Sequence, residues 1–203
     1  LPALNSARSR ARSISCVNNQ NSIGKALALY LDDNKGILLA SYDSRNYLSK
    51  WWVWSLANQN YLKAGTSNSI FSCPEARNLT GSGNPATLTY ARIQNNKYYY
   101  PKWYGGGGTW CGTSGFFPVK MLARPSRQIL VGESSYFSGA SVEVLTNNSN
   151  SFRWSQRMQS NGIDASRCGY YHPGGNMNCL FADGHVKGLS YSAIEQSMMD
   201  DPL

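Results

Sequence analysis

The first regular pattern in the chain is helical. Between residues 4 and 31, apolar side chains recur every three or four positions, which places them on one face of a helix. Asn34 and Gly36 follow, and both residue types suit a C-terminal cap. The pattern predicts a helix of about seven turns, and its inward face consists of Cys16, Gln20, Ile23, Leu27, Tyr30 and Leu31.

The start of this helix has a different character. Leu1, Leu4, Ala7 and Ala11 form a narrow stripe of small and apolar groups, while Ser and Arg occupy the other side. Such a segment has little to bury against within its own domain. The pattern therefore predicts either that the first turns protrude and pack on other helices, or that they continue upstream into a more apolar segment.

The rest of the chain mixes short strands with one further helix. Strands are predicted at "ILLASY", "QILVGES" and "VEVLTNN", and an aromatic-rich helix at "KWWVWSLANQNYLKAG", ending at Gly65. Cys73 stands before a proline at a predicted strand end, residues 78 to 115 are typical of a long loop, and "SAIEQSMMDD" near the end favours a short helix. The sequence thus predicts a helix, residues 1 to 35, followed by a single α+β domain, residues 36 to 203.

A β-hairpin is the clearest signal near the end. "NMNCLFA" and "HVKGLS" flank Asp183 and Gly184, a pair that favours a two-residue type I′ turn. This turn would pair Ala182 with His185 and Phe181 with Val186. Met177, Cys179, Phe181 and Val186 would then share one face of the hairpin, and His185 would point to the other.

Composition narrows the class of protein. The 203 residues carry a net charge of +8, and only 15% are charged, yet 41% are hydrophobic, which excludes a disordered chain. The positive charge attracts polyanions and anionic membrane surfaces without choosing between them. No apolar run is long enough to span a bilayer.

The five cysteines indicate an oxidising compartment, because no CxxC pair is present. Cys16, on the inward helix face, and Cys73 form a plausible disulfide. Cys111 with Cys168 would then tie the glycine-rich loop to the domain and leave Cys179 reduced. Sequence alone does not decide this connectivity.

Several side chains have the right chemistry for a metal or catalytic site. Cys168, His172, Cys179 and His185 are zinc-type ligands, but the hairpin would direct Cys179 and His185 to opposite faces, so no metal site is predicted there. Cys111 with a downstream histidine is a weak candidate for a nucleophile and base, and no catalytic residue is assigned. Calcium bound by oxygens from distant loops stays open, with Asp32, Asp33, Asp43, Asp164 and Asp183 as the acids considered.

Aromatic residues offer a candidate ligand surface. Trp103, Tyr104 and Trp110 flank a four-glycine tract and could stack on sugars or on single-stranded nucleic acid. A core beneath long loops is the alternative for such a cluster. The glycine tract lacks the Lys-Ser/Thr of a phosphate-binding loop.

Three blocks of sequence together resemble one family. "LPALNSARSRARSISCVNNQNSIGKALALYLDDNKG", "FSCPEA" and "HPGGNMNCLFADGHVKG" resemble type IV pilin-like proteins, in particular the pseudopilin relatives of the type II secretion pathway. The last block is similar to a prepilin-type motif formed here by His172, Asp183, Gly184 and His185. Ten residues separate His172 from Asp183, whereas the family has nine, so the "HPGG" segment carries an insertion.

The resemblance implies a function as well as a fold. It implies a long helix packed on an antiparallel sheet, insertion in the inner membrane through a preceding apolar helix, and a non-enzymatic subunit that bundles with other pilin-like subunits, its head outside the cytoplasm. Secreted cargo or a glycan would be a further partner. The alternatives are a surface adhesin or carbohydrate-binding module on the same fold, and the less favoured DNA capture, which would weaken steeply with salt.

Overall fold

The computed structural model describes about half of the chain. The described residues are 2–39, 52–63, 69–75, 90–93, 117–119, 122–133, 136–138, 141–143, 151–152, 170 and 172–194. They form a long helix packed on a β-sheet, so the α+β class predicted from the sequence is confirmed.

The first helix, α1, runs unbroken over Pro2–Asp33. Its buried side chains are Cys16, Gln20, Ile23, Ala26, Leu27 and Tyr30, so the predicted face is confirmed except that Leu31 is only partly buried. The helix ends as predicted. Asn34 Nδ2 donates to the Tyr30 carbonyl at 2.8 Å, and the Gly36 amide donates to the Leu31 carbonyl at 2.7 Å. The φ of Gly36, 73°, suits a residue without Cβ.

The second helix, α2, covers only Trp52–Asn58. The prediction extended it to Gly65 and was wrong about its end. Asn60 adopts a φ of 62°, and the Tyr61 amide donates to the Leu56 carbonyl at 2.9 Å, which closes the helix. Asparagine serves here in the left-handed cap position where glycine is more common. Trp52 is fully buried and contacts Phe71 edge-on, so this tryptophan belongs to the core.

The main sheet has five strands among the described residues. Their order is β7 (Ser151–Phe152), β2 (Tyr90–Ile93), β4 (Ile129–Glu133), β8 (Asn176–Phe181) and β9 (Val186–Ser190). Neighbours are antiparallel except for β7 and β2, which are parallel. The predicted antiparallel sheet is therefore present, with one parallel edge pair.

Two short pairs complete the described strands. β1 (Ile37–Leu38) pairs with β3 (Phe117–Pro118), and β5 (Tyr136–Ser138) pairs with β6 (Ser141–Glu143). β1 falls within a predicted strand, and β6 overlaps the start of another. β2, β3, β5 and β7 were not predicted as strands, and β2 lies within residues 78 to 115, which were wrongly predicted to be loop throughout.

The hairpin β8–β9 is present, but its predicted register was wrong by one residue. Val186 pairs with Leu180, not with Phe181, and the Phe181 amide donates to the His185 carbonyl at 2.9 Å. The turn consequently has three residues, and Gly184 takes the left-handed conformation at a φ of 91°. Val186 therefore lies on the face of Leu180, and the His185 ring stacks on Phe181 at 4.2 Å.

The core lies between α1 and one face of the sheet. A Cβ added to Gly24 would lie 3.0 Å from Leu180 Cδ1, so this glycine lets the helix approach β8 closely. Met177 and Cys179, on the opposite face of β8, are also fully buried. Near the end of the described chain, a 3-10 turn over Tyr191–Ala193 occupies the start of the predicted tail helix.

Candidate metal centre and projecting helix

Four buried side chains converge where α1 meets the sheet. Cys16, Cys73, Glu133 and His172 each place one metal-type ligand atom within 4.8 Å of the other three. It is the one such group in the portion of the chain that the structure describes. None of the four side chains is open to solvent, since the exposed fractions of the residues are 0% for Cys16, Cys73 and Glu133 and 5% for His172.

Each of the four residues comes from a different element. Cys16 lies in the middle of α1, and Cys73 follows a 3-10 turn over Ser69–Phe71, not the strand predicted from the sequence. Glu133 is the last residue of β4. His172 precedes β8 and is held by a backbone bridge to Asn176.

A tight turn positions His172. The Gly175 amide donates to the His172 carbonyl at 3.0 Å, and the His172 amide donates to the Asn176 carbonyl at 3.2 Å. Gly174 and Gly175 have φ values of 81° and 68°, which other residues rarely adopt. The "HPGG" segment is therefore the turn that directs the His172 ring toward the core.

Glu133 is the most constrained member of the group. The Asn178 amide donates to Glu133 Oε2 at 2.8 Å, and Nε2 of His172 lies 2.7 Å from Glu133 Oε1. Burial raises the pKa of Glu133 to about 7, even though His172 and the Asn178 amide act to lower it. The carboxyl group is thus held by one backbone donor and one imidazole.

His172 interacts with both cysteines of the group. His172 Nε2 lies 3.7 Å from Cys73 Sγ. Burial acts to lower the pKa of His172, but the interactions with Cys16 and Glu133 outweigh it and raise this pKa to about 10. Burial acts to raise the pKa of Cys16, whereas hydrogen bonds with Cys73 and His172 outweigh it and lower the pKa to about 5.

The structure describes three of the four zinc-type ligands considered from the sequence, namely His172, Cys179 and His185. Cys168 lies outside the described residues. Cys179 Sγ lies 3.8 Å from the Met177 carbonyl on the far face of β8, and His185 is exposed with its Nδ1 2.6 Å from Asp183 Oδ1. His172 belongs instead to the buried cluster. The argument that separated Cys179 from His185 used the wrong hairpin register, since β8–β9 pairing places His185 on the face of Phe181.

The four motif residues are split between two places. His172 precedes β8, while Asp183, Gly184 and His185 form the exposed tip at its far end. Six residues of strand separate these places by roughly 20 Å. The motif therefore does not form one site.

Sequence reasoning paired Cys16 with Cys73 but did not recognise the cluster. The structure brings the two cysteines together as predicted, and their disulfide stays a prediction, as does that of Cys111 with Cys168, which lie outside the described residues. Glu133 was missed. The sequence feature that could have indicated it is an acid at the end of an otherwise apolar strand, "ILVGE". The structure shows that all five residues are buried.

The other predicted site residues are placed as follows. Asp32, Asp33 and Asp183 are exposed, Asp33 accepts a hydrogen bond from the Tyr61 hydroxyl at 2.9 Å, and within the described part of the chain these acids do not converge on a shared ion. The structure does not describe Leu1, Asp43, Asp164, Trp103, Tyr104 or Trp110. The ligand surface therefore stays a prediction.

The first turns of α1 project from the core. Residues 2 to 8 are exposed, and the first buried residue of the helix is Cys16. Leu4 is 50% exposed and Ile14 is 63% exposed. Leu4, Ala7, Ala11 and Ile14 repeat at intervals of three and four and form an uncovered stripe.

Contacts with the segment around Cys73 hold the base of this projection. Ser9 Oγ donates to Glu75 Oε1 at 3.1 Å, and Arg12 forms an ion pair with Glu75 Oε2. Further along, Asn19 Nδ2 donates to the Ser72 carbonyl at 3.3 Å. The segment around Cys73 therefore lies along α1 and supports the helix where it leaves the sheet.

No family model, curated protein or solved structure matches the chain in comparisons with known proteins. Among the described helices, none is long and apolar enough to cross a membrane.

Proposed function

We propose that the chain is a non-enzymatic structural subunit of a pilin-like filament. In this proposal the projecting part of α1 packs on the helices of neighbouring copies, and an apolar helix ahead of residue 1 anchors the subunit in the inner membrane. The head would lie on the outer side of that membrane. The resemblance of the three sequence blocks to pseudopilins supports this assignment.

The single observation that carries the proposal is the exposed apolar stripe on an unbroken helix. A helix of 32 residues is about 48 Å long, and its first half contributes no buried apolar side chain before Cys16. Burying a leucine or isoleucine stabilises by about 1.5–3 kcal/mol. Leu4 and Ile14 therefore have a substantial stabilisation to gain from a neighbouring copy.

Site-specific photo-crosslinking in the full-length protein tests the proposal. A photoreactive amino acid at Ala7, within the stripe, should yield ladders of crosslinked copies in the membrane fraction. The same amino acid at Lys187, on the exposed side of β9, provides the matched control, which should yield far less of this product. An Ala7 probe that crosslinks only to unrelated proteins, or equal ladders from both positions, would contradict the proposal.

A further inference from the structure

We propose that Cys16, Cys73, Glu133 and His172 bind one zinc ion in a closed tetrahedral site. The ligands would be the two cysteine sulfurs, one carboxylate oxygen of Glu133 and Nε2 of His172. This inference does not depend on filament assembly, because all four side chains belong to one chain.

The positions of the four ligand atoms fit a shared ion. Zinc lies about 2.3 Å from sulfur and about 2.0–2.2 Å from nitrogen or oxygen, so neighbouring ligand atoms of a tetrahedron are about 3.3–3.8 Å apart. The Cys73 Sγ to His172 Nε2 distance is 3.7 Å, and every other pair lies within 4.8 Å. His172 Nε2 and Glu133 Oε1 are closer, at 2.7 Å, because they share a hydrogen bond. If the ion replaces the shared proton, these two atoms must move slightly apart.

The donor set selects the class of metal. Calcium and magnesium require six or more oxygen ligands, whereas this site has one carboxylate. Two thiolates with an imidazole favour zinc or a related borderline ion. Four protein ligands fill the tetrahedral shell and leave no open position for a substrate, which is typical of a structural site.

Charge also favours a cation at this position. Glu133 has no exposed surface, and the thiols of Cys16 and Cys73 are equally buried beside it. Burying an anion without a partner costs free energy. Of the four residues in the group, His172 is the one that can carry a positive charge, and it supplies at most a single charge. A divalent ion would neutralise most of the charge of two thiolates and a carboxylate.

One supporting hydrogen bond reaches a proposed ligand, the Glu133 carboxylate, and two others connect side chains to the backbone around the site. The Asn178 amide holds Glu133 Oε2 at 2.8 Å, and the Tyr90 hydroxyl donates to the Cys16 carbonyl at 3.4 Å. Gln20 Nε2 in turn donates to the Asn178 carbonyl at 2.9 Å. These contacts connect α1, β2, β4 and β8 around the site, so the ion would join the base of the projecting helix to the sheet.

Zinc and the disulfide predicted between Cys16 and Cys73 exclude one another, because a disulfide sulfur is not a thiolate ligand. A disulfide requires neither a carboxylate nor an imidazole beside it, yet Glu133 and His172 converge on the two sulfurs. The presence of all four donors is what favours the ion.

Metal analysis of the tag-free chain, residues 1 to 203, provides the test. The chain should be prepared twice, once by export into an oxidising compartment and once in the reducing cytosol. We expect one zinc per chain by elemental mass spectrometry in both preparations. Cobalt substitution should give the intense d–d bands of a tetrahedral site and a thiolate-to-cobalt charge-transfer band.

Matched variants locate the ion. Cys16→Ala should abolish the charge-transfer contribution of one thiolate. It should also weaken zinc binding by more than the roughly 10–100-fold typical of changes to residues that only hydrogen-bond to a ligand. Glu133→Gln should weaken binding while keeping both thiolate contributions. Cys179→Ala removes another fully buried cysteine that lies outside the cluster and should leave stoichiometry and spectrum unchanged.

Three outcomes would overturn the proposal. The first is a metal-free exported chain in which peptide mass mapping finds Cys16 joined to Cys73. The second is zinc that Cys16→Ala and Cys179→Ala retain or lose equally. The third is a cobalt spectrum without a thiolate-to-cobalt band. Because this spectrum is recorded on the unmutated chain, it tests the proposal even where a variant fails to fold.

Discussion

Glu133 illustrates how strongly a single residue can depend on its surroundings. Its carboxyl group is wholly buried at the end of β4, with the Asn178 amide on one oxygen and His172 on the other. Removing one partner of a buried charge typically costs 3–5 kcal/mol, because the remaining charge is left uncompensated. The strand pairing of β4 with β8 is therefore what makes this acid tolerable in the core.

Asp183 provides a residue-scale prediction about pH. Slight burial acts to raise the pKa of Asp183, but hydrogen bonds from the ring and backbone of His185 outweigh it and lower this pKa. A carboxyl with a lowered pKa stabilises the fold above its unfolded pKa of about 3.9, and this contribution disappears as the pH falls through the lower folded value. The pair is exposed, so the contribution is at most about 1 kcal/mol.

An NMR titration of the Asp183 carboxyl carbon checks this prediction. The pKa should lie below the ordinary value and should move back toward it in His185→Phe, which keeps a ring stacked on Phe181 but removes the ring donor. Arg8→Gln, at the far end of α1, removes one positive charge as a control and should leave the pKa of Asp183 unchanged. An unshifted Asp183 in the unmutated chain would contradict the hydrogen bond.

At the scale of elements, turns decided where the strands and helices end. The three-residue connection of the β8–β9 hairpin places Gly184 at a φ of 91°, and α2 ends where Asn60 adopts a φ of 62°. Gly184 was recognised in the sequence as part of a turn, whereas Asn60 stood within the segment predicted to be helical. The type of the hairpin turn was not recognised, because a two-residue and a three-residue hairpin use the same Asp-Gly pair, and a one-residue difference reverses which side chains face the core.

Substitution of Gly184 tests the turn. Gly184→Ala should lower the free energy of unfolding by about 1–2 kcal/mol, since an alanine is strained at this positive φ. Gly188→Ala, in β9, is the matched control: an added Cβ there has ordinary contacts, the nearest being Asn178 Oδ1 at 3.5 Å. Urea denaturation measures both. Equal effects of the two substitutions would argue for a turn that does not require glycine.

At the scale of the whole molecule, α1 has two parts with different roles. From Cys16 onward one face of the helix packs on the sheet, whereas residues 2 to 8 are exposed. The isoleucines of α1 lie on opposite sides of this division, since Ile23 is fully buried and Ile14 is 63% exposed. A substitution of Ile23 therefore tests the packing of the core, whereas the same substitution of Ile14 tests the exposed stripe.

The two isoleucines make a matched pair for a stability measurement. Ile23→Ala should lower the free energy of unfolding by about 2–5 kcal/mol, because it leaves a cavity against the sheet. Ile14→Ala should change it by no more than about 0.5 kcal/mol. Chemical denaturation of the isolated chain measures both values. A large loss from Ile14→Ala in the monomeric chain would show that the stripe is covered by its own domain.

The sequence by itself determined the long helix, its buried face and its cap, the apolar strand β4 and the existence of the final hairpin. These features depend on local periodicity and turn chemistry, which neighbouring residues in the chain carry. The tertiary structure alone decided the hairpin register, the strand within residues 78 to 115, and which side chains lie beside Glu133 and His172. Cys16, Cys73, Glu133 and His172 are separated by at least 39 positions along the chain. Only the packing of α1 on the sheet brings their ligand atoms within 4.8 Å, so no local pattern could reveal the cluster.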